Sequence, residues 1–205
     1  MAINGTALRT KNRTARWLTE VFQPPVVVTI QLLISPISQP GFPGTMGYGA
    51  LAALFVCVLP LLLLLVLVRR GKVTDHHVSD RRQRAPVLLM ALASIMAGLL
   101  VLAAAGAPQS VVVMVLAVVA GVVVLAGVSP FWKISGHAAA MSSAAVICVL
   151  VLGPAWLPLL LLVPAVGWSR VVLRAHTVAQ VIAGSLFGGV VMAGIWWILQ
   201  GRMVA

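Results

Sequence analysis

The fold of this chain is decided by residues 47–68, GYGALAALFVCVLPLLLLLVLV, which contain no charged side chain. An α-helix needs about 20 apolar residues to cross a hydrocarbon core of roughly 30 Å. These 22 residues meet that length, and we predict that they span a membrane as a helix.

The composition of the whole chain is that of an integral membrane protein. Of its 205 residues, 61% are hydrophobic and 8% are charged, whereas about a quarter of the residues of a soluble domain are charged. No internal repeat of fixed period is present. We predict one domain over residues 1–205, with a basic cytoplasmic segment at residues 1–20 that lacks the features of a cleavable signal.

Glycine and proline breaks divide the other apolar sequence into further spans. The uncharged stretch 86–128 is twice as long as one crossing needs, so we predict two spans with a break at residues 106–110. The predicted fold class is all-α, a multi-pass transmembrane helical bundle with six to seven spans. The predicted spans are 21–37, 50–68, two within 86–128, 138–152, 155–168 and 177–199.

The distribution of cations predicts the orientation. With seven crossings, all of the 14 lysines and arginines except Arg202 fall on the face that carries the polar loops. The positive-inside rule places such a face in the cytoplasm. We therefore predict a multi-pass cell-membrane protein whose polar loops face the cytoplasm.

The charged and histidine residues do not favour binding of nucleic acid or of a metal ion. The net charge of +11 arises at membrane edges rather than on a soluble face, so we predict no nucleic-acid binding. His76 and His77, with Asp75 or Asp80, could ligate a divalent cation. Adjacent histidines do not easily face the same side of a helix, and we predict no metal and no other cofactor.

Two polar segments between apolar runs carry the chemistry. One is Ser135-Gly136-His137, and the other is Ser169-Arg170-x5-His176-x3-Gln180. Arginines, serine hydroxyls and backbone amides at helix starts together make a site for a phosphate. A neutral imidazole can attack phosphorus, and a second, protonated imidazole can donate to a leaving oxygen.

The two segments resemble the second and third signatures of the type 2 phosphatidic acid phosphatase superfamily. The resemblance implies a metal-free mechanism in which His176 takes the phosphoryl group and His137 protonates the leaving group. It also implies that Ser135, Gly136 and Arg170 hold the phosphoryl oxygens as charge develops. Arg174, on the same turn as His176, is a further candidate phosphate ligand.

Three departures from the usual signatures are present, one of which is Ile134 in place of the proline before Ser-Gly-His. The family's first signature is Lys-x6-Arg-Pro, and its best register here is His77-x6-Arg84-Ala85-Pro86. Arg84 and, as a substitute for lysine, His77 are therefore candidate phosphate ligands. Gln180 stands where an aspartate usually orients the nucleophilic histidine. The glucose-6-phosphatase-like branch of the superfamily also carries glutamine at this position. The amide oxygen can still accept a hydrogen bond from Nδ1 of the imidazole.

The sequence thus predicts a phosphatase that hydrolyses a lipid phosphate or diphosphate in the bilayer through a phosphohistidine. The cytoplasmic orientation favours isoprenoid and polyprenyl phosphates or phosphatidylglycerol phosphate as substrates. The alternative is a catalytically impaired phosphate-lipid binding or transport protein on the same fold. A transporter more usually carries polar residues along its spans, and here they are confined to the ends. The oligomeric state is not predicted.

Overall fold

The computed structural model of the chain describes residues 3–37, 39–75, 78 and 80–204, and leaves the side chains of residues 3–11, 81 and 202–204 undescribed. These residues form helices and turns without a strand. The ten α-helices of this part of the chain are α1 Ile3–Val21, α2 Pro24–Ile34, α3 Met46–Ala53, α4 Leu59–Arg69, α5 Arg81–Ala104, α6 Gln109–Val128, α7 Gly136–Leu152, α8 Leu162–Val172, α9 Val178–Leu186 and α10 Ala193–Val204.

Several of these helices join into membrane-length segments, and the predicted all-α multi-pass bundle is confirmed. A π turn at Leu54–Val58 connects α3 to α4, and another at Phe187–Met192 connects α9 to α10. A 3₁₀ segment at Pro154–Leu161 leads into α8. Six segments of the described chain are long and apolar enough to cross a membrane, namely Asn12–Ile34, Met46–Arg69, Arg82–Ala104, Gln109–Val128, Pro154–Val172 and Val178–Gly201.

The seventh apolar helix of the described chain, α7, is shorter than these segments and lies among several other helices. Its 17 residues extend about 25 Å, and it packs against α2, α8, α9 and α10. The side chains along its first turns are small alanines and serines, which let the surrounding helices approach closely. A helix surrounded by protein does not need to match the full thickness of the lipid.

Two glycines bring the last membrane segment against this central helix. A Cβ atom at Gly184 would lie 2.5 Å from the carbonyl oxygen of Ser135, and one at Gly188 would collide with the backbone of Ala139. The spacing of four residues places both glycines on one helix face. The absence of side chains here lets the start of α7 approach the end of α9 and the π turn that follows it.

Two predicted boundaries are wrong. The predicted turn at residues 169–176 is shorter, because α8 continues through Ser169 and Arg170 to Val172. Ser169 is compatible with the helix because its hydroxyl donates to the carbonyl of Val166 at 2.6 Å. The predicted first span, 21–37, is preceded by α1 and begins its own helix at Pro24, since the prolines occupy opening positions where no amide hydrogen is needed.

Candidate active site

The start of α7 is anchored to the start of α9. Ser135 is the N-cap of α7, and its hydroxyl accepts a hydrogen bond from the amide of Ala138 at 3.4 Å. Its own amide donates to the backbone carbonyl of Gln180 at 3.2 Å. Ser135 is fully buried, and Gly136 opens the helix beside it. The two sequence segments that carry histidines are therefore held together by backbone contacts.

A capping box at the start of α9 determines how His176 is oriented. The Gln180 side-chain oxygen accepts the amide hydrogen of Thr177 at 3.1 Å, while the Thr177 hydroxyl accepts from the amide of Gln180 at 3.3 Å. The first of these bonds fixes the amide orientation, because the side-chain nitrogen of glutamine cannot accept a hydrogen bond.

The proton position on His176 follows from its two neighbours. Nδ1 lies 3.2 Å from the side-chain oxygen of Gln180 and 3.2 Å from the backbone carbonyl oxygen of Lys133. Both partners are acceptors, so Nδ1 must carry the hydrogen. In this tautomer Nε2 of the neutral imidazole has a lone pair available, so Nε2 can act as a nucleophile.

The surroundings of His176 favour its neutral form. The side chain is buried, and burial lowers its pKa to about 4, with additional repulsion from the charges of Arg170, Lys133 and Arg84. Burial, together with repulsion from Arg84 and Arg170, lowers the pKa of the Lys133 ammonium, which is half-buried. The site therefore combines a neutral histidine with several cations.

Arg170 projects from α8 into this region. Only 6% of the residue is exposed, and its Nη1 donates to the hydroxyl of Thr19 at 3.4 Å. Its Nε has no hydrogen-bond partner among the described residues. Arg170 is therefore partly held by the protein and retains donor capacity for an anionic ligand.

Arg84 reaches the same region from the first turn of α5. Its Nε donates to the carbonyl oxygen of Val78 at 3.0 Å. Val78 adopts a left-handed backbone conformation with φ of 47°. The N-cap of α5 is Asp80, whose carboxylate accepts the amide of Arg82 at 2.9 Å. The loop before α5 thus directs the Arg84 guanidinium.

A cavity of about 320 Å³ connects these groups to the apolar interior. Arg84, Gly136, His137, Arg170 and His176 line its polar part. The rest of the lining is mainly apolar and comes from α2, α4, α5, α6 and α7 together with both π turns; it includes Val28, Val56, Leu61, Ala91, Ile95, Val118, Gly121 and Met192. The cavity is therefore amphipathic, with titratable groups at one end.

Residues 126–203 match the family model of the PAP2 superfamily. This region of the chain is similar to the PAP2 superfamily. The match includes both histidine-bearing segments, and it confirms the family predicted from them. No curated protein and no solved structure gave a significant match to the chain. The match to the PAP2 superfamily points to phosphatase activity on phosphate esters.

The structure brings most of the predicted PAP2 site residues together and leaves some aside. Gln180 lies behind His176 rather than in the cavity lining, as an orienting residue would. Arg174 is exposed at the end of α8, with φ of 53°, and it does not line the cavity. His77 lies outside the described residues.

Sequence reasoning missed two contributors to this candidate site. The carbonyl of Lys133 helps to orient His176, and its position two residues before the Ser135 signature was the only signal for it. Thr19 contacts Arg170 from a helix distant in sequence, and no motif marked it. In the described part of the chain, no group of three or more histidine, cysteine, aspartate or glutamate side chains could hold a metal ion. The predicted alternative cation ligands His76 and His77 are outside that part.

Proposed function

We propose that this PAP2 protein hydrolyses a lipid phosphate or diphosphate, without a metal ion and through a phosphohistidine intermediate. The observation that carries the proposal is the amphipathic cavity. It holds His176, His137 and two arginines at one end and continues between apolar helices at the other. Such a cavity suits a ligand with a phosphate head and an apolar tail.

The reaction we propose begins at Nε2 of His176. This lone pair attacks phosphorus and forms a P–N bond as the bond from phosphorus to the leaving oxygen breaks. His137 donates a proton to that oxygen, and the lipid alcohol or phosphate departs. Arg170, Arg84 and the amide of Gly136 stabilise the charge on the phosphoryl oxygens, and Ser135 orders this helix start. In the second step water attacks phosphorus while His137, now neutral, takes a proton from it. The P–N bond breaks, its electron pair returns to Nε2, and inorganic phosphate is released.

The electrostatics of the site support a nucleophilic His176. A neutral imidazole is available at physiological pH because its pKa is lowered to about 4. The hydrogen bonds to Gln180 and Lys133 keep the remaining proton on Nδ1. An attacking group that is already deprotonated needs no general base in the first step.

The apolar wall supports a lipid rather than a soluble substrate. From Arg84 to Ile95, two lining residues of α5, the helix rises about 16 Å into the bundle. Isoprenoid and polyprenyl phosphates and phosphatidylglycerol phosphate are the favoured classes, because we propose that the basic polar end faces the cytoplasm.

A second candidate function is phosphate-lipid binding or transport with impaired catalysis. The observation that favours it is the neutral amide of Gln180 beside His176. An amide cannot offset the positive charge of an imidazolium. Neutralising the aspartate of a serine-protease triad costs about 10⁴ in rate.

The experiment that separates these functions is phosphate release by the purified full chain in detergent with EDTA. The substrates are phosphatidic acid, phosphatidylglycerol phosphate and prenyl mono- and diphosphates, with glycerol phosphate as the soluble comparison. Release from a lipid phosphate in EDTA is the expected result. Release that EDTA abolishes and Mg²⁺ restores would contradict the metal-free mechanism, and no release by folded protein would favour the binding function.

The pH dependence of hydrolysis is expected to report His176. The neutral imidazole is the reactive form, so kcat/KM should persist as the pH falls below 6.5 and decline only near pH 4. Gln180→Glu keeps the length and the acceptor oxygen but adds a negative charge, which raises the pKa of His176. The acidic decline should then move up by about one to three pH units. Initial rates across pH 3.5–8 measure both profiles, with melting of the detergent-solubilised protein at each pH as the folding control. Identical profiles would contradict the assignment.

The apolar cavity is expected to select substrates by their tails. Ala91 lines the cavity about 10 Å from Arg84 along α5, and Ala91→Phe should fill the space that a tail occupies. We expect kcat/KM for a long-chain lipid phosphate to fall about tenfold or more, and that for glycerol phosphate to change less than about twofold. Ala93→Phe, on the exposed face of the same helix, is the matched control. Equal losses of kcat/KM for the lipid phosphate and for glycerol phosphate would show that the lipid tail does not occupy the space beside Ala91.

A further inference from the structure

Helix α1 reaches the phosphate-binding end of the cavity from outside the matched PAP2 region. It packs against α8, and its buried residues Ala15 and Thr19 lie one helical turn apart on the contacting face. Thr19 is 2% exposed, and Ser169 on α8 is completely buried. This contact places a hydroxyl from the N-terminal segment beside Arg170.

The direction of each hydrogen bond in this contact can be assigned. The Ser169 hydroxyl donates its single hydrogen to the carbonyl oxygen of Val166 at 2.6 Å. The hydroxyls of Thr19 and Ser169 are 3.1 Å apart, so Thr19 must be the donor between them. With its hydrogen engaged, the Thr19 oxygen can only accept, and it accepts from Nη1 of Arg170 at 3.4 Å.

This chain of hydroxyls gives Arg170 a neutral anchor in a crowded cationic site. Arg84 lies close enough to repel Arg170, while Glu20, adjacent to Thr19, attracts it. A guanidinium without an anchor would be free to rotate away from Arg84. The Thr19 oxygen holds one end of the guanidinium, and Nε, which has no partner among the described residues, remains available for a ligand.

We propose that Thr19 is a positioning residue that orients Arg170 for a phosphoryl group. The proposal rests on the proposed function, because it takes Arg170 as a phosphate ligand. It predicts that α1 is part of the active site and not only a basic segment that sets membrane orientation. The phosphate could be a lipid headgroup or free inorganic phosphate, since the guanidinium recognises the same oxygens in both.

The test is phosphate affinity in isosteric variants of the full chain. Thr19→Val keeps the branched shape and volume but removes the acceptor, whereas Thr19→Ser keeps the hydroxyl. Inorganic phosphate at constant ionic strength is titrated against the melting midpoint in detergent, and ligand stabilisation gives the dissociation constant. The kcat and KM for a lipid phosphate are measured on the same samples. Thr14→Val, at an exposed position of α1, is the matched control.

We expect Thr19→Val to weaken phosphate affinity about tenfold, as loss of a hydrogen bond to a charged group would. Thr19→Ser and Thr14→Val should stay within about twofold of wild type. In an Arg170→Lys background, Thr19→Val should add less than about twofold, because the partner of the hydroxyl is gone. Lipid phosphate hydrolysis should fall in parallel with phosphate affinity.

Three results in the variants would overturn the proposal. They are an unchanged affinity in Thr19→Val, an equal loss in Thr19→Ser, and a full additional loss in the Arg170→Lys background. Absence of phosphate binding by wild type would also overturn it. Wild type that binds phosphate but hydrolyses no lipid phosphate would contradict the proposed function alone, and the affinities would still decide the role of Thr19. If Thr19→Val does not fold, Thr19→Ala replaces it, and the same difference from Thr19→Ser is expected.

Discussion

His176→Ala is expected to lower the rate of phosphate release by at least about 10³-fold, because the variant lacks the atom that we propose forms the P–N bond. The change leaves the capping box between Thr177 and Gln180 intact, and α9 should retain its start. Phosphate release from the preferred lipid phosphate, with melting of the purified variant as a folding control, measures the effect. The loss should appear in kcat.

A trapping experiment separates a nucleophile from a residue that only binds. Wild type quenched during turnover of a ³²P-labelled substrate should carry an acid-labile, alkali-stable label, and His176→Ala should carry none. His137→Ala should still be labelled when the leaving group is good, since it then needs little protonation. Turnover by folded His176→Ala within tenfold of wild type, or a label that persists in it, would assign the nucleophile to another residue.

Arg170→Gln is expected to reduce kcat/KM by about 10²- to 10³-fold, the range found when a donor to a developing oxyanion is removed. Glutamine keeps a hydrogen-bonding side chain of moderate length but loses the charge and the forked geometry of the guanidinium. Arg170 lines the cavity and is 6% exposed. Initial rates over a range of lipid phosphate concentrations give kcat and KM separately.

Arg174→Gln provides the matched comparison for that loss. Arg174 is four residues further along the chain, carries the same charge, and is exposed outside the cavity lining. Its removal should change kcat/KM by less than about threefold. If the two variants lose kcat/KM equally, the loss in Arg170→Gln would come from the lower positive charge of the protein and its weaker attraction to the membrane. If Arg174→Gln alone is impaired, Arg174 would be the phosphate ligand predicted from its position beside His176.

Much of the fold could be predicted from the sequence because apolar length is a local property. The break at residues 106–110 appears as a turn between α5 and α6, with Gly106 at φ of 68°. The boundary of α8 could not be predicted in the same way. Ser169 and Arg170 looked like turn residues, but each is buried and hydrogen-bonded within or against a helix.

The site could be predicted in part for the same reason. The two histidine-bearing signatures are short, contiguous patterns, and the resemblance they carry agrees with the family match. Arg174 shows the limit of such patterns. It is two residues from His176, but its side chain is exposed and lies outside the cavity lining. Proximity along a chain does not establish which side chains share a cavity.

By itself, the sequence determined that this protein is a helical membrane protein and that two of its segments resemble PAP2 signatures. Span length and motif spacing can both be read from consecutive residues. Only the tertiary structure decided the tautomer of His176, the acceptor for Arg170, and the apolar extension of the cavity. Thr19 and Ser169 are separated by 150 positions, yet their hydroxyls are 3.1 Å apart. Such contacts depend on how whole helices pack, and small residues such as Gly184 set those distances without any local signal of what they bring together.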